Sequence, residues 1–243
     1  MRGSDKTMDV LYIVMPAYNE EANIESVIRD WYPNLDGKDG RSRLVVADSG
    51  SSDRTHAILQ RLQKELPQLE ILPDTEKQHG PKVIALYRLA AERKADYVFQ
   101  TDSDGQTDPG EFAAFWEARE QYDGIFGKRT VRGDGKSRAL VEKTVCFLLR
   151  LYFGVRVPDA NAPFRLMRTE KVSRYIGKMP EDYALPNIML TAWFAHEKER
   201  ILFREITFRP RQGGKNSINI RRIMGIGRQA MRDFSEFRRE MRG

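Results

Sequence analysis

The chain has 243 residues, 40% of them hydrophobic and 31% charged, and a formal net charge of +6. That composition excludes a disordered polymer, and the length suffices for a full core in one domain or at most two. A single cysteine, Cys146, excludes an intramolecular disulfide and points to a reducing compartment.

Met1–Thr7 is polar, too short for a signal peptide, and reads as a leader ahead of a start at Met8. No run approaches the roughly 18 apolar residues that a membrane span needs. Val10–Met15, apolar and β-branched and closed by Pro16, predicts a buried strand. Glu20–Trp31 has helical spacing, with Asn19 as its expected N-cap. Leu44–Ala47 predicts a second buried strand, followed by the turn cluster Asp48–Asp53 and a helix over Thr55–Leu66. A short strand over Leu69–Leu72, a helix over Pro81–Glu92 and a strand over Tyr97–Gln100 come next. Pro109–Glu120 predicts a helix capped by Asp108, and Gly124–Gly127 a fifth strand. The second half is less regular: helices over Ser137–Phe153 and Asn187–Phe194, strands over Ala162–Met167 and Ile201–Phe208. Strands alternating with helices argue for parallel βαβ units in one sheet, where ligands sit beyond the carboxyl ends of the strands.

Three of those ends carry polar clusters. Asp102-x-Asp104-x-Gln106 leaves the Tyr97–Gln100 strand, and two carboxylates two residues apart can bracket one hard cation. Mg²⁺ or Mn²⁺ would leave coordination sites for phosphate, and Gln106 could add a carbonyl oxygen. The bland alternative is a turn. Asp48 leaves the second strand where acidic residues of nucleotide folds accept from a base or ribose. Asp53 in the same cluster reads as a helix cap. After the first strand, Tyr18 can pack on a base or ribose and Glu20 can accept from a ribose hydroxyl; the alternative is a plain turn into the helix.

Gly-x-Gly-x-x-Gly, Walker and Gly-x-Ser-x-Gly motifs are absent, which disfavours a dinucleotide enzyme, an NTPase and a serine hydrolase. His56, His79 and His196 lack zinc spacing and read as structural, and Trp31, Trp116 and Trp193 as core.

The ordered set VMPAYNEE, VVADSGSSDRT, HGPKVIAL and FQTDSDGQTDP resembles the family 2 glycosyltransferases of GT-A fold. Gly127-Lys128-Arg129, Arg138, Val157-Pro158-Asp159, Phe164-Arg165 and Arg209–Ser217 narrow it to the dolichol- and polyprenyl-phosphate sugar transferase branch. The resemblance covers about Val10 to Ile220. It implies a Rossmann-type, mixed and mostly parallel sheet flanked by helices. It puts Pro16, Tyr18, Glu20 and Asp48 around a nucleoside, with Lys82 near that pocket or the pyrophosphate. Asp102, Asp104 and Gln106 would hold the metal, and Arg129, Arg138, Arg209 and Lys215 the acceptor or donor phosphates. Three departures stand out. Ser49 replaces a frequent second Asp, Asn161-Ala162-Pro163 replaces Ser-Gly before Phe164, and the transmembrane helices of many relatives are missing.

The implied reaction is inverting transfer from a UDP- or GDP-linked sugar to a polyprenyl-phosphate-like lipid. A phosphate acceptor is largely ionised at neutral pH and needs cations for positioning rather than a strong base. A sugar or protein hydroxyl would need a base, for which Asp159 and Asp182 are the candidates. A non-catalytic nucleotide-binding module is the alternative from another class. Nucleic acid is disfavoured, because aspartates at the strand ends would repel its phosphates.

The charge lies at one end. Residues 211–243 hold nine Lys/Arg against three acids, so the whole net charge sits there. Ile220, Ile223, Met224, Gly227, Ala230, Met231, Phe234, Phe237 and Met241 repeat in steps of three and four, an amphipathic helix with arginines around it. The expected organisation is a catalytic domain over 8–217 and a basic amphipathic helix over 218–243. That helix would hold a peripheral enzyme on the inner, cytoplasmic face of a membrane. The alternative is a helix docked on the protein's own core.

Overall fold

The computed structural model describes residues 8–73, 75–132, 136–210, 230–239 and 241, and of 131–132 and 136–139 the backbone alone. The strands are β1 (Leu11–Ala17), β2 (Arg43–Asp48), β3 (Leu69–Leu72), β4 (Tyr97–Thr101), β5 (Gly124–Arg132), β6 (Phe164–Arg168) and β7 (Ile201–Phe208). The helices are α1 (Ile24–Trp31), α2 (Thr55–Glu65), α3 (His79–Glu92), α4 (Phe112–Ala118), α5 (Lys136–Phe153), α6 (Thr169–Ile176) and α7 (Pro186–His196). One seven-stranded sheet has the order β3-β2-β1-β4-β6-β5-β7. β1 pairs in parallel with β2 and β4, β2 with β3, and β5 with β7. Only β6 runs against its neighbours, β4 and β5. The sheet is therefore mixed and mostly parallel, as expected.

Residues alternate across β1 because successive side chains leave a strand on opposite faces. Tyr12 and Val14 join the layer beneath α3, α6 and α7. Leu11, Ile13 and Met15 join the opposite layer, with α1, α2 and α4. Both faces of the central strands are thus buried, which explains their unbroken apolar runs. Trp31 and Trp193 are fully buried, and Trp116 is partly buried against the α1–α4 layer.

Three local differences have physical causes. Asn19 does not cap α1. It sits at φ 53°, its Oδ1 accepts from Ser52 N–H at 2.8 Å, and the helix starts only at Ile24. Asp108 caps as expected, accepting from Gly110 N–H at 3.0 Å, but Pro109–Glu111 is a 3₁₀ turn ahead of α4. Helix α6 is too short for its apolar spacing to stand out in the sequence. Its short stripe of Val172, Tyr175 and Ile176 buries against the core.

The segment over 230–239 is helical. Phe234 packs edge-on to Tyr152 and Phe153, and Phe237 to Tyr183. Ala230, Phe234 and Phe237 are buried in the α3–α7 layer, with Met241 packed beside them. In the described half of the basic helix Ala230, Phe234 and Phe237 thus face the protein, whereas Met231 is exposed. Residues 218–229, the other half, lie outside the described residues, as does Lys215.

Candidate active site

The carboxyl ends of β1, β2 and β4 are joined by direct hydrogen bonds. Lys82, on α3 and 1% exposed, donates to Ala17 O at 2.6 Å and Ser49 O at 2.8 Å. Ser103 Oγ donates to Pro16 O at 2.9 Å. Asn19 N–H meets Ser51 Oγ at 2.9 Å, and Glu20 N–H meets Thr55 Oγ1 at 2.8 Å. The loops that hold the predicted nucleoside residues and the predicted metal residues are therefore one surface. Gly80 lets the start of α3 pack on the backbone just ahead of α7: a Cβ there would stand 2.3 Å from Tyr183 O.

Asp48 is buried. Its Oδ1 accepts from Ser51 Oγ, and its Oδ2 has no hydrogen-bond partner among the described residues, with His56 Nδ1 3.3 Å away. A buried carboxylate oxygen without a donor is costly unless a ligand supplies one. Tyr18 is at the rim, with Lys77 Nζ 4.8 Å and Lys82 Nζ 5.5 Å from its ring centre. Glu20 is buried and accepts from Asn23 Nδ2 at 3.0 Å. Asp53 accepts from the N–H and Oγ1 of Thr55 at 2.9 and 2.6 Å, but the N-cap of α2 is Arg54, so Asp53 braces the helix start from one position further out than expected. Burial pushes the Lys82 amine down to about 8, against the opposing pull of the Asp48 charge.

Asp102 is held from two sides. His79 Nε2, from the first residue of α3, lies 3.3 Å from its Oδ1, and Gln100 Nε2 donates to the same oxygen at 3.2 Å. Behind Gln100 runs a buried chain. Asn187 Nδ2 donates to Gln100 Oε1 at 3.0 Å, and Tyr87 OH to Asn187 Oδ1 at 3.1 Å. Arg165, 1% exposed, donates to the carbonyl of Asn187 at 2.9 Å and to that of Ala162. Partial desolvation lowers the pKa of the His79 ring, but the Asp102 and Asp104 charges override it and hold the ring above its ordinary value. Gly105, at φ 73°, turns the loop so that Asp104 Oδ1 accepts from Gln106 N–H at 3.1 Å. Gln106 is buried, and its Nε2 donates to Arg209 O at 2.8 Å, leaving Oε1 as the ligand-capable atom. Among the described residues no three His, Cys, Asp or Glu side chains are grouped closely enough to hold a metal by themselves. Two carboxylates and an amide oxygen nevertheless suit Mg²⁺ or Mn²⁺, which keep positions for water and phosphate.

Arg129 and Asp159 form a third group. The Arg129 guanidinium bonds both Asp159 oxygens at 2.8 Å and Glu142 Oε2 at 3.0 Å. All three side chains are nearly or fully buried. Glu142 also accepts from Ala160 N–H at 2.7 Å. Two carboxylates share one guanidinium. Burial and the Asp159 charge push Glu142 up, whereas Arg129 holds Asp159 down despite its burial. Arg209, half exposed, pairs with Asp108 at 2.6 Å, and its N–H bonds Gln106 O at 2.7 Å.

Of the expected residues, Pro16 and Asp48 at the ends of β1 and β2, Lys82 on α3, and Tyr18, Glu20, Asp102, Asp104, Gln106 and Arg209 on the adjoining loops thus belong to one hydrogen-bonded region. Arg129, on β5, and Asp159 meet in a separate ion pair. Arg138 opens α5 with its side chain undescribed, and Lys215 lies outside the described residues. His79, Gln100, Asn187 and Arg165 were not among them. His79 had one available signal, its place immediately before Gly80-Pro81-Lys82.

The sequence model of glycosyl transferase family 2 matches residues 12–176. An undecaprenyl-phosphate mannosyltransferase of Micrococcus luteus is 30% identical over 176 residues, covering 67% of this chain and 68% of that protein. An undecaprenyl-phosphate 4-deoxy-4-formamido-L-arabinose transferase of Edwardsiella ictaluri is 25% identical over 168 residues, covering 69% of this chain but about half, 51%, of that protein. Among solved structures, glucosyl-3-phosphoglycerate synthase of Mycobacterium tuberculosis superposes with a TM-score of 0.66 at 21% identity, covering 95% of this chain and 80% of that one. That structure holds Mn²⁺, UDP-glucose and glycerol 3-phosphate. At this identity the likeness bears on the fold alone.

Proposed function

The chain belongs to glycosyl transferase family 2, and on that premise we propose that it transfers a sugar from a nucleotide sugar to a polyprenyl-phosphate-like lipid. The observation that carries the reading is the hydrogen-bonded union of the β1, β2 and β4 ends, with Asp48 on one side and Asp102 on the other. The undecaprenyl-phosphate transferases of similar sequence support the lipid acceptor.

The nucleoside stacks on Tyr18, and the lone oxygen of Asp48 accepts from a base N–H. Glu20 accepts from the ribose, and Lys82 holds the floor by tying Ala17 to Ser49. Asp102, Asp104 and Gln106 would hold Mg²⁺ or Mn²⁺, whose charge would offset that of the departing diphosphate. Gln106 is fixed for this by Arg209, and Asp102 by Gln100 and His79. Arg138, Arg209 and Lys215 position phosphate oxygens. Arg129, bound to Asp159 and Glu142, sets the approach of α5. The acceptor phosphate attacks the anomeric carbon opposite the leaving group and inverts it.

Of the two candidate bases for a hydroxyl acceptor, Asp159 is unsuited to that role. It is 3% exposed, doubly bonded to Arg129 and held below the usual carboxylate range, so it is a poor base. Among the described residues no helix is long and apolar enough to cross a membrane. A peripheral enzyme on the cytoplasmic face fits that observation and a lipid acceptor together. The test is thermal-shift screening of UDP- and GDP-sugars with Mn²⁺, followed by transfer from the stabilising donor to polyprenyl phosphate. A glycolipid product carries the proposal. Donor hydrolysis with no lipid product, or transfer only to a hydroxyl, overturns it.

A further inference from the structure

Helix α5 exposes its apolar side chains. Leu140, Phe147 and Leu151 are 67%, 62% and 61% exposed, and steps of seven and four put them on one face. Glu142, Leu149 and Phe153, on the opposite side, are buried. Three large side chains left in water along one helix are a surface that expects a partner. The described part of the basic C-terminal segment does not supply it, because Ala230, Phe234 and Phe237 are already buried against the core.

The charge on α5 selects the partner. Lys143 and Arg150 are exposed along the same helix. The only acid of α5, Glu142, is turned inward onto Arg129 and Ala160. A second copy of the chain would bring Lys143 and Arg150 against the same residues across a two-fold axis, with no acid of α5 to pair them. An anionic lipid surface accepts both features at once: apolar side chains enter the acyl boundary and cations meet headgroups. Continuity adds weight. At the far end of α5, Tyr152 and Phe153 carry Phe234, and the neighbouring Met231 and Arg232 are also exposed. At the near end, Glu142 binds Arg129, beside the ring of Phe208 and the loop of Arg209.

We propose that the exposed face of α5, through Leu140, Phe147 and Leu151 with Lys143 and Arg150, is the membrane-contacting surface of this enzyme. It lays α5 in the interface of an anionic leaflet and brings the Arg129 end of the site to the headgroups. The inference rests on the lipid-phosphate reading for its purpose, but its test does not.

The full chain is sedimented with phosphatidylglycerol-containing vesicles and with pure phosphatidylcholine vesicles. The variants are Leu140→Gln/Phe147→Gln/Leu151→Gln and Lys143→Gln/Arg150→Gln. The apolar variant is expected to lose roughly tenfold or more in binding to the anionic vesicles, with an unchanged unfolding midpoint. The basic variant is expected to lose binding to the anionic vesicles only. Transfer to a water-soluble short-chain prenyl phosphate is expected to stay at the unsubstituted level in both, while transfer to vesicle-embedded acceptor falls. If vesicle binding depends on α5 but no lipid phosphate is glycosylated, the surface stands and the acceptor assignment falls. The surface is overturned if the parent chain ignores vesicles, or if binding survives the apolar substitutions. It is equally overturned if those substitutions dissolve a dimer, or lower the unfolding midpoint because another part of the chain covers the face.

Discussion

His79 Nε2 and Asp102 Oδ1 stand 3.3 Å apart, so the first residue of α3 and the loop leaving β4 meet at a single carboxylate oxygen. Gln100 donates to the same oxygen. Both contacts fall on Oδ1, and Oδ2 is the oxygen that remains for a cation. His79→Ala is expected to slow transfer about tenfold by loosening this carboxylate, with a cost of less than ~1 kcal/mol in stability because the ring is half exposed. Turnover measured beside the unfolding midpoint checks it.

Asp102→Asn and Asp104→Asn remove charge from a partly exposed loop without orphaning a buried cation. Each is expected to lower transfer by ~100-fold or more while leaving the unfolding midpoint within a few degrees. Mn²⁺ titration followed by electron paramagnetic resonance should show weakened binding in both. Wild-type turnover in the double variant would remove the metal from the reaction.

Lys82→Met leaves the carbonyls of Ala17 and Ser49 without their donor, at a cost of about 1–3 kcal/mol. The sign of the pH effect follows from the lowered pKa. Between about 8 and the ordinary lysine value the folded chain binds fewer protons at Lys82 than the unfolded chain does. Its contribution to stability therefore rises with pH across that window. Urea unfolding at pH 8 and pH 10 should show this rise in the parent chain and a weaker one in the variant.

The two carboxylates on Arg129 separate in the same way. Glu142 is raised, so the folded state favours its proton, and its contribution falls as pH climbs through the raised value. Glu142→Gln is expected to match or exceed the parent in stability at pH 8 and to lose that advantage below the ordinary glutamate pKa. Asp159 is lowered, so its contribution is present at neutral pH and disappears as pH falls through its folded value. Asp159→Asn removes the bidentate partner of a buried cation and is expected to cost about 3–5 kcal/mol. Chemical denaturation of both variants, carried from pH 8 down through the ordinary glutamate and aspartate pKa values and below them, distinguishes them.

The strands were legible because β1, β2 and β4 are buried on both faces and so read as unbroken apolar runs. Asp48 and Asp102 were legible because each leaves such a run into a loop. The support behind them was not. Tyr87 meets Asn187 across 100 residues and Asn187 meets Gln100 across 87, separations that no local spacing encodes. The reversal of β6 was hidden for the same reason. The histidines lack metal spacing, but His56 and His79 stand beside the two site carboxylates. In the basic tail, periodicity identified the apolar stripe but not what it covers: Phe234 and Phe237 face Tyr152, Phe153 and Tyr183. On α5, apolar residues surround the helix, so the exposed ones could not be told from the buried ones by spacing.

The position of β6 also governs the order in which the chain can acquire its shape. β1 to β4 assemble from consecutive βαβ crossovers, so that half of the sheet can close as it leaves the ribosome. β5 has no such option. It is joined to β4 only through β6, which follows it in the chain after the whole of α5. A nascent chain that ends within α5 therefore carries β5 as an unpaired strand beside an unfinished sheet edge, the arrangement that invites pairing with a neighbouring chain. Synthesis of β6 closes that interval, and the vulnerable stretch of translation is the one between Arg132 and Phe164.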